Sequence, residues 1–198
     1  MAGLAIEERN YSIKEYLELD KEANERYEYE NGTITAMSGG IINHGVLCNN
    51  SGAILREIVQ KKGLNCTPFG SEVKVFIEKS SSFVYPDAML ICGEIETSEE
   101  DKNAVINPVL VIEVLSKRTE RYDRSKKFRK YCSLPSFREY ILIDQYQPIV
   151  DVLYKADPTF WKMTATIGLD KELYINTLDE KIKMKELYQF VQRLKIDE

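Results

Sequence analysis

Asp87 and Glu113 are charged residues in places that favour apolar ones. Asp87 follows Tyr85-Pro86 inside the apolar run 83–91, and Glu113 sits between Ile112 and Val114 in a second run, 109–115. A carboxylate in such surroundings is expensive to bury unless it binds something. Apolar runs of this length suit central strands, and two acids on separate strands can converge at neighbouring strand ends. Paired carboxylates hold Mg2+ or Mn2+ through oxygen and leave positions for water and a phosphate oxygen. The competing reading is that one or both acids cap a strand end or pair with an arginine.

A helix over 121–132 is the next source of chemistry. At about 100° per residue, Arg121, Arg124, Phe128, Tyr131 and Cys132 share one stripe, and Phe128, Tyr131 and Cys132 are expected to face the protein. Lys127 falls on the flank of that stripe, where it can reach a site between helix and sheet. Lys126 and Lys130 are expected to point to solvent. Arg124, on the inward stripe, needs an anionic partner, either a carboxylate or a substrate phosphate.

Charge is distributed unevenly. Residues 116–131 contain eight Lys/Arg, among them Lys117, Arg118 and Arg121, against Glu120 and Asp123 alone. That segment carries +6, which leaves −11 for the rest of a chain whose net charge is −5. An acidic body argues against a generally basic nucleic-acid binder, but one basic patch can dock a polyanion locally. A solvated helix face is the plainer alternative. The four cysteines, Cys48, Cys66, Cys92 and Cys132, form no CxxC pair, and His44 is the only histidine, so a zinc ribbon or finger is excluded. Reduced, mostly buried thiols are the expectation. His44, near the start of a helix, is open to two readings: a general base or substrate contact, or a capping and packing residue.

The elements that must position these residues can be read locally. Ser12 and Glu15 form a capping box, with Tyr11 and Tyr16 placed for a hydrophobic staple, so a first helix runs to about Ala23. Asn31-Gly32 lies between β-rich stretches and signals a hairpin. A second helix is expected from near Asn43 to Lys62, stopped by Gly63. Strands are expected at 73–77, 83–91, 109–115, 138–143, 149–154 and 160–167, with an acidic loop at 94–102 and a closing helix over 183–194. Strands and helices mix without strict alternation, which points to an α/β fold with a mixed central sheet flanked by helices. The length of 198 residues, with no repeat and no linker, suits a single domain over 1–198. No apolar run is long enough for a membrane span and no signal peptide is evident, so a cytoplasmic location is the default.

Taken together, these motifs resemble a known family. Arg26-Tyr27-Glu28 with Gly32, then Met37, His44, Tyr85-Pro86-Asp87, Pro108 through Glu113-Val114-Leu115-Ser116, Asp123-Arg124 with Lys127, and Glu139-Tyr140 through Asp144 are similar to the Uma-type restriction-endonuclease family of bacteria. The resemblance spans roughly residues 11–155. It implies a restriction-endonuclease-like fold with a PD-(D/E)XK site. Asp87 and Glu113 would be the metal ligands, Glu28 a further acid near the metal, and His44 a histidine near the site. The motif lysine would stand at 115, where this chain has Leu115, and the resemblance implies that Lys127 on the following helix replaces it. The implied activity is Mg2+- or Mn2+-dependent hydrolysis of DNA. Lys127 would orient water or stabilise charge, and Lys117, Arg118, Arg121 and Arg124 would lie along the nucleic acid. Many nucleases of this fold are dimers, so a homodimer is expected by analogy. Two rivals stand beside this reading. One is a catalytically inactive module that keeps the fold for DNA binding or regulation; the other, a carboxylate-pair glycosidase, is disfavoured by the single tryptophan and the lack of an aromatic platform.

Overall fold

A computed structural model describes residues 9–23, 25–37 and 41–195. Helix α1, Ile13–Glu22, opens on the expected capping box, and Ser12 and Glu15 exchange backbone and side-chain hydrogen bonds. Strands β1, Tyr27–Glu30, and β2, Thr33–Ala36, form the expected hairpin. Its turn needs positive φ at both residues, and Asn31 (42°) and Gly32 (94°) supply it. Helix α2, Ile42–Lys62, ends on Gly63 in the left-handed region.

Two sheets follow. Strands β3, Cys66–Gly70; β4, Lys74–Ile77; β5, Ser82–Val84; β6, Ala88–Cys92; and β7, Ala104–Val105, divide between them, β3 and β6 in one and β4, β5 and β7 in the other. The apolar run 83–91, expected as one strand, is therefore two. β5 ends in the five-stranded sheet β2-β1-β5-β4-β7, and β6 begins in the six-stranded sheet β11-β10-β9-β8-β6-β3. Pro86 lies in the crossover, where a residue without an N–H can interrupt the ladder. The larger sheet is completed by β8, Leu110–Leu115; β9, Glu139–Asp144; β10, Ile149–Lys155; and β11, Trp161–Ile167. It is mixed, with β8 and β9 parallel and the other pairs antiparallel.

Every residue of β8 is buried, as expected for a strand covered on both faces. Alternation sorts its side chains. Leu110, Ile112 and Val114 pack with α2 on one face, and Val111 and Leu115 pack with Tyr131, Phe137 and residues of β4 on the other. β6 is sorted the same way, with Ala88 and Leu90 toward α2 and Met89 and Ile91 away from it. The second face is covered by one helical stretch made of α3, Glu120–Tyr122, a π turn at Asp123–Lys127, and α4, Phe128–Tyr131.

Other expectations fail as well. Residues 183–194 do not form a helix. A hairpin of β12, Glu172–Ile175, and β13, Glu180–Lys183, leads into the short α5, Met184–Leu187, and positive φ at Phe190 (68°) and Arg193 (53°) prevents its continuation. The cysteines are not all free. Cys66 and Cys92 face each other across the antiparallel β3–β6 pair and are joined as a disulfide, leaving Cys48 and Cys132 as thiols. Lys130 does not point to solvent. It is buried, with Nζ 3.0 Å from Glu30 and 2.9 Å from the Tyr122 hydroxyl. Lys126 is exposed, as expected. Among the described residues no helix is long and apolar enough to cross a membrane.

Candidate active site

The register of the central sheet brings the two acids together. β6 and β8 pair antiparallel with Ala88 opposite Ile112 and Met89 opposite Val111, so the next step sets Asp87 against Glu113. Glu113 falls on the sheet face turned toward the α3–α4 stretch, beside Val111 and Leu115, while Asp87, just before β6, meets His44 of α2. The Asp87 carboxylate accepts the Val114 backbone N–H at 2.7 Å, a bond that ties the start of β6 across to β8.

Lys127 enters from the π turn. Its Nζ lies 2.9 Å from Glu113 Oε1, 3.2 Å from Glu28 and 4.0 Å from Asp123, and it donates to the Tyr85 carbonyl at 3.0 Å. Glu28, on β1, also accepts the Tyr85 N–H at 3.2 Å. The crossover before Asp87 is thus held at both backbone groups of Tyr85 by two residues of the cluster. The Tyr131 hydroxyl donates to Glu113 at 3.3 Å. Lys127 and Glu113 are 4% and 3% exposed, so their charges meet in a medium where both attraction and desolvation are large.

The electrostatics follow from this crowding. Burial pushes the Glu113 carboxyl well above its ordinary range; Lys127 opposes the shift, while Asp123 and Asp87 add to it. Burial would lower the Lys127 ammonium, but Glu113, Glu28, Tyr131 and Asp123 outweigh it and hold the lysine charged. Asp123 is raised by burial, against the pull of Lys127 and a hydrogen bond from Thr119. Asp87 goes the other way. Burial is overcome by the hydrogen bond and charge of His44, by Lys127 and by the Val114 N–H, and its pKa is lowered. His44 is correspondingly raised by Asp87 in spite of burial. Four carboxyl groups therefore share one lysine and one imidazole.

Two donor sets meet at Asp87. Glu28, Asp87 and Glu113 offer oxygen, the ligand type that Mg2+ and Mn2+ prefer. The excess of negative charge around buried Glu113 is what a bound cation would relieve, and oxygen donors suit a hard one, but among the described residues the group with metal-site spacing is His44, Cys48 and Asp87. From α2, His44 Nε2 approaches Asp87 Oδ2 to 3.4 Å and His44 Nδ1 lies 3.3 Å from Cys48 Sγ.

A family model, Uma2, described as "Putative restriction endonuclease", matches residues 13–180, most of the chain. The chain belongs to the Uma2 family. "Uncharacterized protein sll1609" of Synechocystis sp. is 32% identical over 159 residues, spanning 80% of this chain and 89% of that protein. "Uncharacterized protein slr1290" of the same organism is 31% identical over 150 residues, covering 76% and 77% respectively. The crystal structure of "a putative nuclease belonging to DUF820" from Anabaena variabilis has a TM-score of 0.72 and covers 91% of this chain and 99% of that one. At 17% identity that likeness concerns the fold, and it agrees with the mixed sheet and flanking helices read from the sequence.

Within this Uma2 chain the sequence-selected residues divide into two groups. Glu28, His44, Asp87, Glu113 and Lys127 are brought together. Arg124 is not aimed at them, because its guanidinium is held by Glu120 at 2.9 Å and Asp151 at 2.6 Å, the carboxylate option of the two considered. Lys117, Arg118 and Arg121 are exposed on the segment that follows β8, with Lys117 over the Tyr146 ring at 5.6 Å. Sequence reasoning misses Asp123, Tyr131 and Cys48 as members of the cluster. Asp123 enters it as a charge in a basic segment and as part of the Asp123-Arg124 motif, with no role at the site. The signal that finds it is the four-residue spacing of Asp123, Lys127 and Tyr131, all buried.

Proposed function

We propose that this protein is a metal-dependent DNA endonuclease in which Asp87 and Glu113 hold Mg2+ or Mn2+. The observation that carries the reading is two buried carboxylates set opposite each other at the end of adjacent strands, with a lysine that a π turn delivers to Glu113. When bound, such a cation polarises a phosphate oxygen and lowers the pKa of a bound water. The protein's own groups supply the rest. Asp87 is kept ionised by His44 and Lys127, so it is ready to act as a ligand at neutral pH. Lys127 carries a fixed positive charge where negative charge develops on phosphorus oxygens, a form of preorganised stabilisation. Glu28 and the Tyr85 carbonyl keep that ammonium in place. Lys117, Arg118 and Arg121 form the exposed cationic edge along which a phosphate backbone would run.

The test is cleavage of plasmid and oligonucleotide DNA with Mg2+ or Mn2+ and with EDTA. Asp87→Asn and Glu113→Gln should each lower cleavage by more than the roughly 10–100-fold typical of changes one shell further out, with circular dichroism unchanged. A parent protein that cuts no single-stranded, duplex or branched substrate and shows no metal-dependent shift in melting would leave the inactive DNA-binding module as the correct reading.

A further inference from the structure

Helix α2 lays two side chains against Asp87 that the proposed hydrolysis does not use. His44 and Cys48 are four residues apart and so lie on one face of the helix, a turn from each other. Nδ1 of His44 is 3.3 Å from Cys48 Sγ, and Nε2 of His44 is 3.4 Å from Asp87 Oδ2. Each residue offers a ligand atom within 4.8 Å of the other two, and none of the three is exposed. Among the described residues this is the group of three His, Cys or acidic side chains with metal-site spacing.

The donor types decide which ion would suit it. A sulfur, an imidazole nitrogen and one carboxylate oxygen form a borderline-to-soft set, unlike the all-oxygen shell that Mg2+ demands. Ligands bound to one tetrahedral Zn2+ at about 2.0–2.3 Å stand roughly 3.3–3.7 Å apart, and one ligand atom from each residue already lies within 4.8 Å of the other two. A turn of the imidazole commits one nitrogen to the ion. Three protein ligands then leave a fourth position open.

We propose that His44, Cys48 and Asp87 form a binding site for a thiophilic divalent cation of the zinc class, distinct in donor chemistry from the Asp87–Glu113 pair and sharing Asp87 with it. Binding stands on the geometry alone. Its consequence rests on the nuclease reading: an ion on the triad draws Asp87 away from the hard-cation pair, so Zn2+ opposes Mg2+-dependent cleavage. Cys48 then determines which cation the site prefers.

Co2+, a spectroscopic stand-in for Zn2+, tests the site in the full chain. Titration should produce visible d–d bands and a near-ultraviolet thiolate-to-cobalt charge-transfer band, both bleached by Zn2+. Cys48→Ser should abolish the charge-transfer band, and His44→Gln should weaken Co2+ binding by at least about tenfold. Cys132→Ser should leave the spectrum intact. Absence of the charge-transfer band in the parent, its persistence in Cys48→Ser, or its loss in Cys132→Ser would each overturn the proposal. The two readings fail separately: a cobalt–thiolate spectrum without any Mg2+-dependent cleavage retains the site and removes the nuclease, and cleavage without the spectrum does the reverse.

Discussion

Replacing Lys127 by methionine keeps most of the hydrocarbon stem and removes the ammonium. In the parent that ammonium touches Glu113, Glu28 and the Tyr85 carbonyl and stands 4.0 Å from Asp123. Removing one partner of a buried pair costs about 3–5 kcal/mol, because the remaining charge is left without compensation. With about 4 kcal/mol as the centre of that range, and a shift of about 2–4 °C per kcal/mol for a chain of this size, the variant should melt roughly 8–16 °C lower in EDTA at neutral pH. The pH dependence identifies the cause. The Lys127 pKa is raised, so its contribution is complete at all pH values below the ordinary lysine range and is lost only as pH climbs through the raised value. The variant's deficit comes instead from ionised carboxylates, above all Glu113, whose pKa burial raises. It should be largest at high pH and shrink as pH falls through the raised Glu113 value, above the ordinary carboxylate range, where that acid takes up its proton. Added Mn2+ should narrow the gap at neutral pH by restoring a positive charge. Thermal melts followed by circular dichroism at acid and neutral pH, with EDTA and with Mn2+, measure all three effects. A variant that melts within about 2 °C of the parent, with a gap that neither pH nor Mn2+ changes, would refute the carboxylate cage.

Two further outcomes follow. Glu113→Gln removes a carboxyl with a raised pKa, whose stabilising protonated form is present below its unfolded value and is lost as pH rises through the folded one; metal-free melts of the variant should therefore be flatter as pH rises above the ordinary carboxylate range, and a slope like the parent's would show that another acid titrates there. Lys117→Ala and Arg121→Ala should each weaken DNA binding measured by fluorescence anisotropy and reduce the slope of log affinity against log salt by about 0.9 for each phosphate no longer neutralised; unchanged slopes in both would remove the exposed edge from the binding surface.

The features legible in the sequence were those set by neighbours within a few residues. The Ser12 box, the Asn31-Gly32 turn and the Gly63 stop depend on local hydrogen bonding and φ, and each forms as read. The acids were legible for a related reason: charge in the runs 83–91 and 109–115 conflicts with burial, and the conflict is visible without a structure. Features that depend on which strands meet were not legible. Nothing local divides 83–91 between two sheets except Pro86, and nothing local pairs Cys66 with Cys92, which become neighbours only once β3 and β6 align. The expected terminal helix failed because apolar residues such as Leu173, Ile175, Ile182 and Leu187 are buried in the core beneath α2 by a hairpin and a short helix, a packing that helical periodicity cannot distinguish from one long element.

The most consequential difference lies in the helix that carries Lys127. A regular wheel of about 100° per residue turns Arg124 inward and leaves Lys127 on the flank. The turn at Asp123–Lys127 is wound as a π turn instead, with more residues per revolution, and the inward stripe moves back by one position. Asp123, Lys127, Lys130 and Tyr131 become the buried residues, while Arg124 swings out to Glu120 and Asp151. Phe128 keeps enough of the inner flank to stack on Tyr140 and meet the edge of Trp161, so the helix stays anchored to the sheet. A π turn sacrifices regular helical hydrogen bonding, and such turns often occur at functional sites. Here its effect is specific. Steps of four on an α-helix drift by about 40° each, and the wider turn cancels part of that drift, so an acid, a lysine and a tyrosine spaced by four all reach Glu113's side of the sheet. A chain with leucine at 115 thus presents an ammonium 2.9 Å from Glu113 from the helix and not from the strand, through the winding of the turn that carries Lys127.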